Sequence, residues 1–433
     1  MSTQIQQVQS KGIYHGLPVY PEDLKGLTAI ITGANGISGH YMLRVLSQSP
    51  ERWSKIYCLS RRPPYIPGGL PSNAEHIAID FLKDPSEIAK ALQDKGVKAD
   101  YVFFFAYLQP APKEGKGLWS DAQEMVRVNS QLLDNFLGAL KVAEIKPKRF
   151  MLQTGAKNYG VHHGPTKVPQ EESDPRVEIP DEPNFYYPQE DSVWRFCEES
   201  NGETGWNVLM PGPILGGVPD AAMNAAFPLA VYAAVTRELG EVLKWPGDVK
   251  SWQLDCSMSS AMMNGYMEEW AVLTPAAKNQ KFNAFDGGAF AWEGFWPRLA
   301  GWYGIDWQGP QDDAKYQSNE TPHNPRGYGG KGVASRSFTL VSWVKQEKVQ
   351  KAWKKIAKDN DLAQKELVDV ERVFGFIDGS LCRPSALMFS SDKARKLGWH
   401  GFVDSNESLL SVFDDLANIK MIPPVPKVKV QFS

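Results

Sequence analysis

"TAIITGANGISGHYMLRVL", residues 28 to 46, runs from an apolar strand-length stretch into a helical pattern through Gly33, Gly36 and Gly39. Glycines there allow a tight turn and let backbone N–H groups approach a pyrophosphate seated on the helix's positive end. A lone glycine triplet says little. One that opens the first strand-to-helix turn of an alternating chain is a strong signal, and the chain around it alternates. "LTAIIT" (27 to 32), "KIYCLS" (55 to 60), "HIAID" (76 to 80), "DYVFFFA" (100 to 106), "RFMLQTG" (149 to 155) and "WNVLMPG" (206 to 212) read as strands. Helical patterns lie between them. One carries Asp84 as N-cap, Pro85 in the first turn and Glu87 three places after the cap; another has Val128, Leu132, Phe136 and Leu140 on one face. The predicted fold class is α/β, a Rossmann-type doubly wound parallel sheet.

At 433 residues the chain exceeds one minimal core. An N-terminal arm (1–25), a dinucleotide-binding Rossmann domain (26–215) and a smaller, mainly helical substrate domain (216–433) are expected. Residues 282–287 are read as a return to the main sheet, and 312–337 as a mobile loop. Helices are expected around 223–240, 259–271, 289–303 and 342–369. A net charge of -3 gives no field for nucleic acid or anionic membrane. Four scattered cysteines read as reduced core thiols, and no stretch is apolar enough to span a bilayer. The expected compartment is the cytoplasm. The seven histidines show no ligand spacing, so no metal is expected, and His162-His163 reads as a solvated loop. A homodimer is compatible with this composition.

The cofactor loop comprises Gly33, Asn35, Gly36, Ile37 and Gly39. The second strand ends at Ser60, Arg61 and Arg62, where an acidic residue would select NAD. Guanidinium groups there pair with a 2'-phosphate, so NADPH is the expected cofactor. Asp80 and Phe81 are placed for the adenine edge. Ala106 and Tyr107, after the fourth strand, are placed for the middle of the cofactor.

"MLQTGAKNYG" (151 to 160) sets Lys157 just beyond a strand, beside the cofactor crevice. None of the fifteen tyrosines has lysine four places on, but "NFYYPQED" (184 to 191) opens a helix with Tyr186 and Tyr187. These stretches resemble the progesterone 5β-reductase/iridoid synthase family of extended short-chain dehydrogenases. The likeness extends through the glycine loop, "IDFLKDP", "VFFFAY", "VNSQLLDN", "PGPILG", "FNAFDGGAFAWEGFW" and "KLGWHGF". By that resemblance Lys157 and Tyr186 are the catalytic pair, and Pro211, Pro213 and Ile214 hold the nicotinamide carboxamide. Thr154 takes the place of an assisting serine, or else caps the backbone. Tyr107 and Phe376 wall the substrate pocket. The chain departs from the pattern at Ala106-Tyr107, at "MPGPILG" and in 312–337.

The chemistry so implied is hydride transfer to an enone or enal, with Tyr186 polarising the carbonyl of a small apolar substrate. Lys157 is expected to lower the tyrosine pKa. Direct carbonyl reduction, epimerisation or cyclisation without net reduction, and a nucleotide-sensing regulator remain open alternatives.

Overall fold

The computed structural model describes residues 7–111, 119–220 and 223–431. Seven parallel strands make the central sheet: β1 (Leu27–Thr32), β2 (Trp53–Ser60), β3 (Ala74–Ala78), β4 (Tyr101–Phe104), β5 (Arg149–Gln153), β6 (Gly205–Pro211) and β7 (Gln280–Ala284). Their order across the sheet is β7-β6-β5-β4-β1-β2-β3. Chain direction through the sheet reverses at β1, so the crevice where ligands bind in such folds opens beyond the ends of β1 and β4.

Alternation along each strand builds two cores. Ala29, Ile31, Phe103, Met151 and Leu209 face one side of the sheet. Ile30, Val102, Phe104, Phe150, Leu152, Val208 and Met210 face the other. Helix α1 (Ile37–Ser47) lies on the first face. On the second lie α2 (Pro85–Asp94), α3 (Ala122–Val142) and α4 (Tyr186–Glu199). The Asp84 carboxylate accepts from Ser86 N–H at 2.9 Å, so the N-cap read from the sequence is in place.

After β6 come α5 (Ala226–Glu238), α6 (Ala261–Leu273), α7 (Trp292–Tyr303), α8 (Glu347–Asp359), α9 (Val370–Leu381) and α10 (Ser405–Asn418). Met263, Met267 and Trp270 of α6 join the core beside α1, and β7 pairs with β6 in the register Phe282↔Leu209. The chain thus returns to the sheet and shields β6 from being an open edge. Trp292, Trp296 and Trp302 are buried, and Trp296 meets Trp245 edge-on at 5.1 Å. Wide aromatic surfaces let these helices bury a core away from the sheet.

Two expectations need correction. Residues 342–369 do not form one helix. A capping box between Thr339 and Ser342 starts a short helix, Leu340–Val344, before α8, and the chain leaves α8 at Asn360 with Asp361 in a left-handed turn (φ 49°). Residues 312–337 contain a hairpin rather than a loop without structure: Gln317–Glu320 pairs antiparallel with Val333–Arg336. Its strands are mostly exposed and lack apolar alternation, so periodicity could not reveal them. All four cysteines are free and buried. Among the described residues, no helix is long and apolar enough to cross a membrane.

Candidate active site

At two of the three loop glycines, Gly33 and Gly39, the backbone leaves space only for glycine. Gly33 has φ 63°, and a Cβ there would lie 2.8 Å from Phe105 O. At Gly39 a Cβ would lie 2.5 Å from Gly33 O. Helix α1 starts at Gly36 without a side-chain cap, so its first N–H groups keep their capacity for an anion. Gln153, at the end of β5, donates to Ser38 Oγ at 2.8 Å, and its own Oε1 is buried without a partner. Thr32 Oγ accepts from the N–H groups of Phe105 and Ala106 at 3.0 and 3.2 Å, joining the ends of β1 and β4. A cradle closed to any Cβ, an uncapped helix start and an orphan acceptor suit a dinucleotide's pyrophosphate and polar head. "PGPILG" borders the same place: Gly216 packs so tightly on Ile37 that a Cβ would fall 2.6 Å from its Cγ2.

Ser60 donates to Arg62 O at 2.7 Å, shaping the turn after β2. Arg61 and Arg62 are exposed, and Arg62 lies 3.5 Å from Asp220, whose other oxygen is 2.9 Å from Arg372. Asp80 accepts from Leu82 N–H at 3.0 Å. Phe81 departs from expectation. Its ring is buried, meeting Phe136 at 5.3 Å and Phe104 at 6.3 Å. The apolar space between β4 and α3 claims that side chain, and its carbonyl accepts from Asn135 Nδ2 at 2.9 Å, leaving only its main-chain N–H for an adenine.

Gly155 separates β5 from a 3-10 turn, Ala156–Tyr159, that carries Lys157. A Cβ at Gly155 would lie 3.2 Å from the Tyr186 hydroxyl and 3.5 Å from Pro211 O. The Tyr186 hydroxyl therefore overhangs the ends of β5 and β6. The Lys157 ammonium sits 4.2 Å over the ring of Trp119, a cation–π contact. Trp119 donates from Nε1 to the Tyr107 hydroxyl at 2.9 Å, and Tyr107 in turn donates to Gln109. Tyr107, Phe185 and Tyr186 continue the wall, with centroids 5.8 and 4.5 Å apart in that sequence. Lys157 and Tyr186 thus stand at the two ends of one run of aromatic contacts, both only partly covered by area.

Burial alone pushes the Lys157 pKa down to about 8 and holds the Tyr186 hydroxyl well above the usual phenol value. The second direction reverses the expectation that Lys157 lowers the tyrosine. Desolvation dominates, and at neutral pH the phenol is a protonated donor.

Neighbouring groups distinguish the two tyrosines. Tyr187 is committed to the scaffold: its hydroxyl accepts from Val177 N–H and donates to Asn158 O, both at 2.8 Å. Thr154 is buried; its hydroxyl accepts from Asn158 Nδ2 at 3.2 Å and donates to Leu209 O at 3.5 Å, a backbone contact in line with the capping reading. Asn158 also donates to Glu190 at 2.8 Å. That buried carboxylate is 2.8 Å from Lys281 on β7 and 3.1 Å from Arg176. Breaking such a buried pair by removing one partner costs about 3–5 kcal/mol, so this network fixes the turn under Lys157. Asn184 donates to Lys157 O at 2.8 Å. Asn129 holds Leu108 through N–H and C=O at 3.0 Å each, and Gln189 donates to Asn129 O at 2.9 Å. Sequence reasoning missed Trp119, Asn129 and Glu190. Each acts through a partner distant in sequence, and none carries a local signal. Phe376 is half-buried against the larger core.

The histidine pair was read as solvated, and that holds only for His162. His163 is buried, with Nδ1 2.9 Å from Glu182. Folding also brings His323 to the same carboxylate, a cluster that spacing along the chain could not show.

A seven-stranded parallel sheet with its glycine loop at the first strand-to-helix turn is the framework of the short-chain dehydrogenase/reductase class of enzymes. Within that class the chain belongs to the family of PRISE-like Rossmann-fold domains, whose model matches residues 29–328. It is 30% identical over 403 residues to a short chain dehydrogenase of Penicillium aethiopicum, covering 92% of this chain and 99% of that one. It is 29% identical over 406 residues to the 3-oxo-Delta(4,5)-steroid 5-beta-reductase of Arabidopsis thaliana, covering 91% and 93%. In fold it is similar to the UDP-glucose 4-epimerase of Brucella ovis solved with NAD. The TM-score is 0.55 at 13% identity, over 94% of this chain and 100% of that one.

Proposed function

We propose that the protein is an NADPH-dependent reductase acting on the activated C=C of a small, apolar enone or enal. One observation carries this reading: the Tyr186 hydroxyl overhangs Gly155 at the strand ends, and the rings of Phe185, Tyr107 and Trp119 lead from it to the Lys157 ammonium. The name of the Arabidopsis relative supports conjugated-ketone reduction.

The glycine loop would hold the pyrophosphate and "PGPILG" the nicotinamide amide. Arg61 and Arg62 would take the 2'-phosphate, Arg62 exchanging Asp220 for it. When bound, NADPH supplies the hydride for the β-carbon. Tyr186 donates a hydrogen bond to the substrate carbonyl and strengthens it as negative charge grows on that oxygen. Lys157, mostly an ammonium at neutral pH, adds positive potential to the cleft without needing to ionise the phenol. Tyr107, Trp119 and Phe185 exclude water and suit an apolar substrate.

The test is a panel of enones, enals and simple ketones with NADPH, followed by absorbance and product mass. Saturated carbonyl products support 1,4-reduction, and alcohols with the C=C intact support 1,2-reduction by the same pair. Turnover without NADPH loss supports an epimerase or cyclase.

Cofactor choice has its own test. Replacing Arg61 and Arg62 together with Ala is expected to weaken NADPH binding about 10- to 100-fold, since hydrogen bonds to charged groups contribute roughly 1.5–3 kcal/mol. NADH binding should change little. Equal losses for both cofactors, measured by fluorescence titration, would show that the arginines do not read the phosphate.

A further inference from the structure

We propose that His163, Glu182 and His323 bind one divalent transition-metal ion of the zinc type, fastening the 317–336 hairpin to the loop beyond Lys157. Their candidate ligand atoms all lie within 4.8 Å of one another. His163 Nδ1 is 2.9 Å from one Glu182 oxygen, and His323 Nε2 is 3.4 Å from the other. Tetrahedral zinc, with bonds of about 2.0–2.1 Å, sets neighbouring ligand atoms about 3.3 Å apart. Each imidazole thus lies near that spacing from one carboxylate oxygen, and with the three ligand atoms all within 4.8 Å of one another, side-chain shifts would close the set on an ion. Two imidazoles and a carboxylate form a donor set suited to zinc, cobalt or nickel and poorly suited to magnesium or calcium.

The backbone already holds two of the three groups together. His323 N–H donates to His163 O at 3.1 Å, and His163 N–H donates to Gly160 O at 2.9 Å. Between them the fold leaves no space for a side chain: at Gly164, with φ 157°, a Cβ would fall 2.1 Å from His323 O. The mouth of the hairpin is closed by Thr321. Its N–H donates to Gly332 O at 2.8 Å, and its hydroxyl donates to His323 O at 3.0 Å. His163 is further fixed by its ring contact with His162, at 3.8 Å between centroids. These constraints bring residues more than a hundred positions apart to one point before any ion arrives, which lowers the entropy cost of binding. The Glu182 side chain is 46% exposed and that of His323 35%, giving the ion a solvent path and space for a water ligand.

Without metal, the same atoms make a carboxylate hydrogen-bonded to two imidazoles, and the experiment separates these cases. The full-length protein, stripped with chelator, is titrated with zinc chloride by calorimetry and with cobalt chloride by visible spectroscopy. The same is done for His323→Ala and Glu182→Gln, with circular dichroism confirming their fold. Expected are one zinc per chain, tetrahedral-type cobalt bands, and affinity lower by about 100-fold or more in each variant. Zinc should also protect the hairpin from limited proteolysis in the wild type alone. Uptake in the wild type no tighter than in His323→Ala would overturn the proposal, whether the residual binding is absent or lies at other surface groups.

Discussion

Tyr186→Phe is expected to lower kcat for enone reduction by about 100- to 1,000-fold while NADPH affinity stays near the wild-type value. The magnitude is that of one donor removed from a developing oxyanion, about 3–4 kcal/mol. The change is confined to chemistry because the hydroxyl lies over Gly155 and the Pro211 carbonyl, away from the glycine loop. Tyr187→Phe is the control. Its hydroxyl serves Val177 N–H and Asn158 O, so its loss should cost about 1–3 kcal/mol of stability and leave kcat within a few-fold. The pair of variants is read by single-turnover NADPH oxidation and by urea denaturation. If Tyr187→Phe abolished turnover while Tyr186→Phe reduced the enone normally, the reacting hydroxyl would be assigned to the wrong tyrosine.

That contrast shows where the sequence is legible. The glycine loop is a local device: strand, turn and helix lie within nineteen consecutive residues (28–46), and the close contact at Gly39 is with Gly33 of the same turn, although the one at Gly33 is with Phe105 across the sheet. The sheet likewise follows from short apolar runs whose partners are the next strands, except where β1 pairs with β4. Lys157 and Tyr186 lie on separate segments, so the sequence joins them only through a family resemblance. The residues that shape their surroundings are less legible still. Trp119 adopts φ 64°, a left-handed backbone that costs roughly 1–2 kcal/mol, and so aims its indole at Lys157. Nothing in its neighbours' composition announces that turn. Glu190 is an ordinary helix glutamate until Lys281 arrives from β7. Phe81 follows a strand in the position of a ligand wall, but a vacancy beside Phe136 determines where its ring goes. Long-range packing, absent from any window of sequence, decides such cases.

The sign of the Lys157 shift leads to the second large effect. Burial lowers its pKa from 10.5 to about 8, so the native state holds this proton less firmly than the unfolded chain does. Where the unfolded chain binds more protons, stability rises with pH. The cost of burying the ammonium is thus fully present below pH 8 and is relieved between about pH 8 and 10.5. A shift of this size corresponds to about 2–3 kcal/mol after allowing for water that reaches the cleft. Lys157→Met keeps the stem against Trp119 and removes the charge. It should therefore raise stability by about 2–3 kcal/mol at pH 7, with the gain shrinking as pH climbs through that window. Enone turnover should fall by about 100-fold or more, because the cleft loses the positive potential that a growing oxyanion requires. Denaturation midpoints of wild type and variant, compared from pH 6.5 to 10 without cofactor, measure the first effect, and kcat at pH 7 the second. A variant less stable than the wild type at pH 7 would mean that the ammonium is solvated or paired rather than buried. A more stable variant with unchanged turnover would confine Lys157 to packing on Trp119 and leave Tyr186 to carry the chemistry alone.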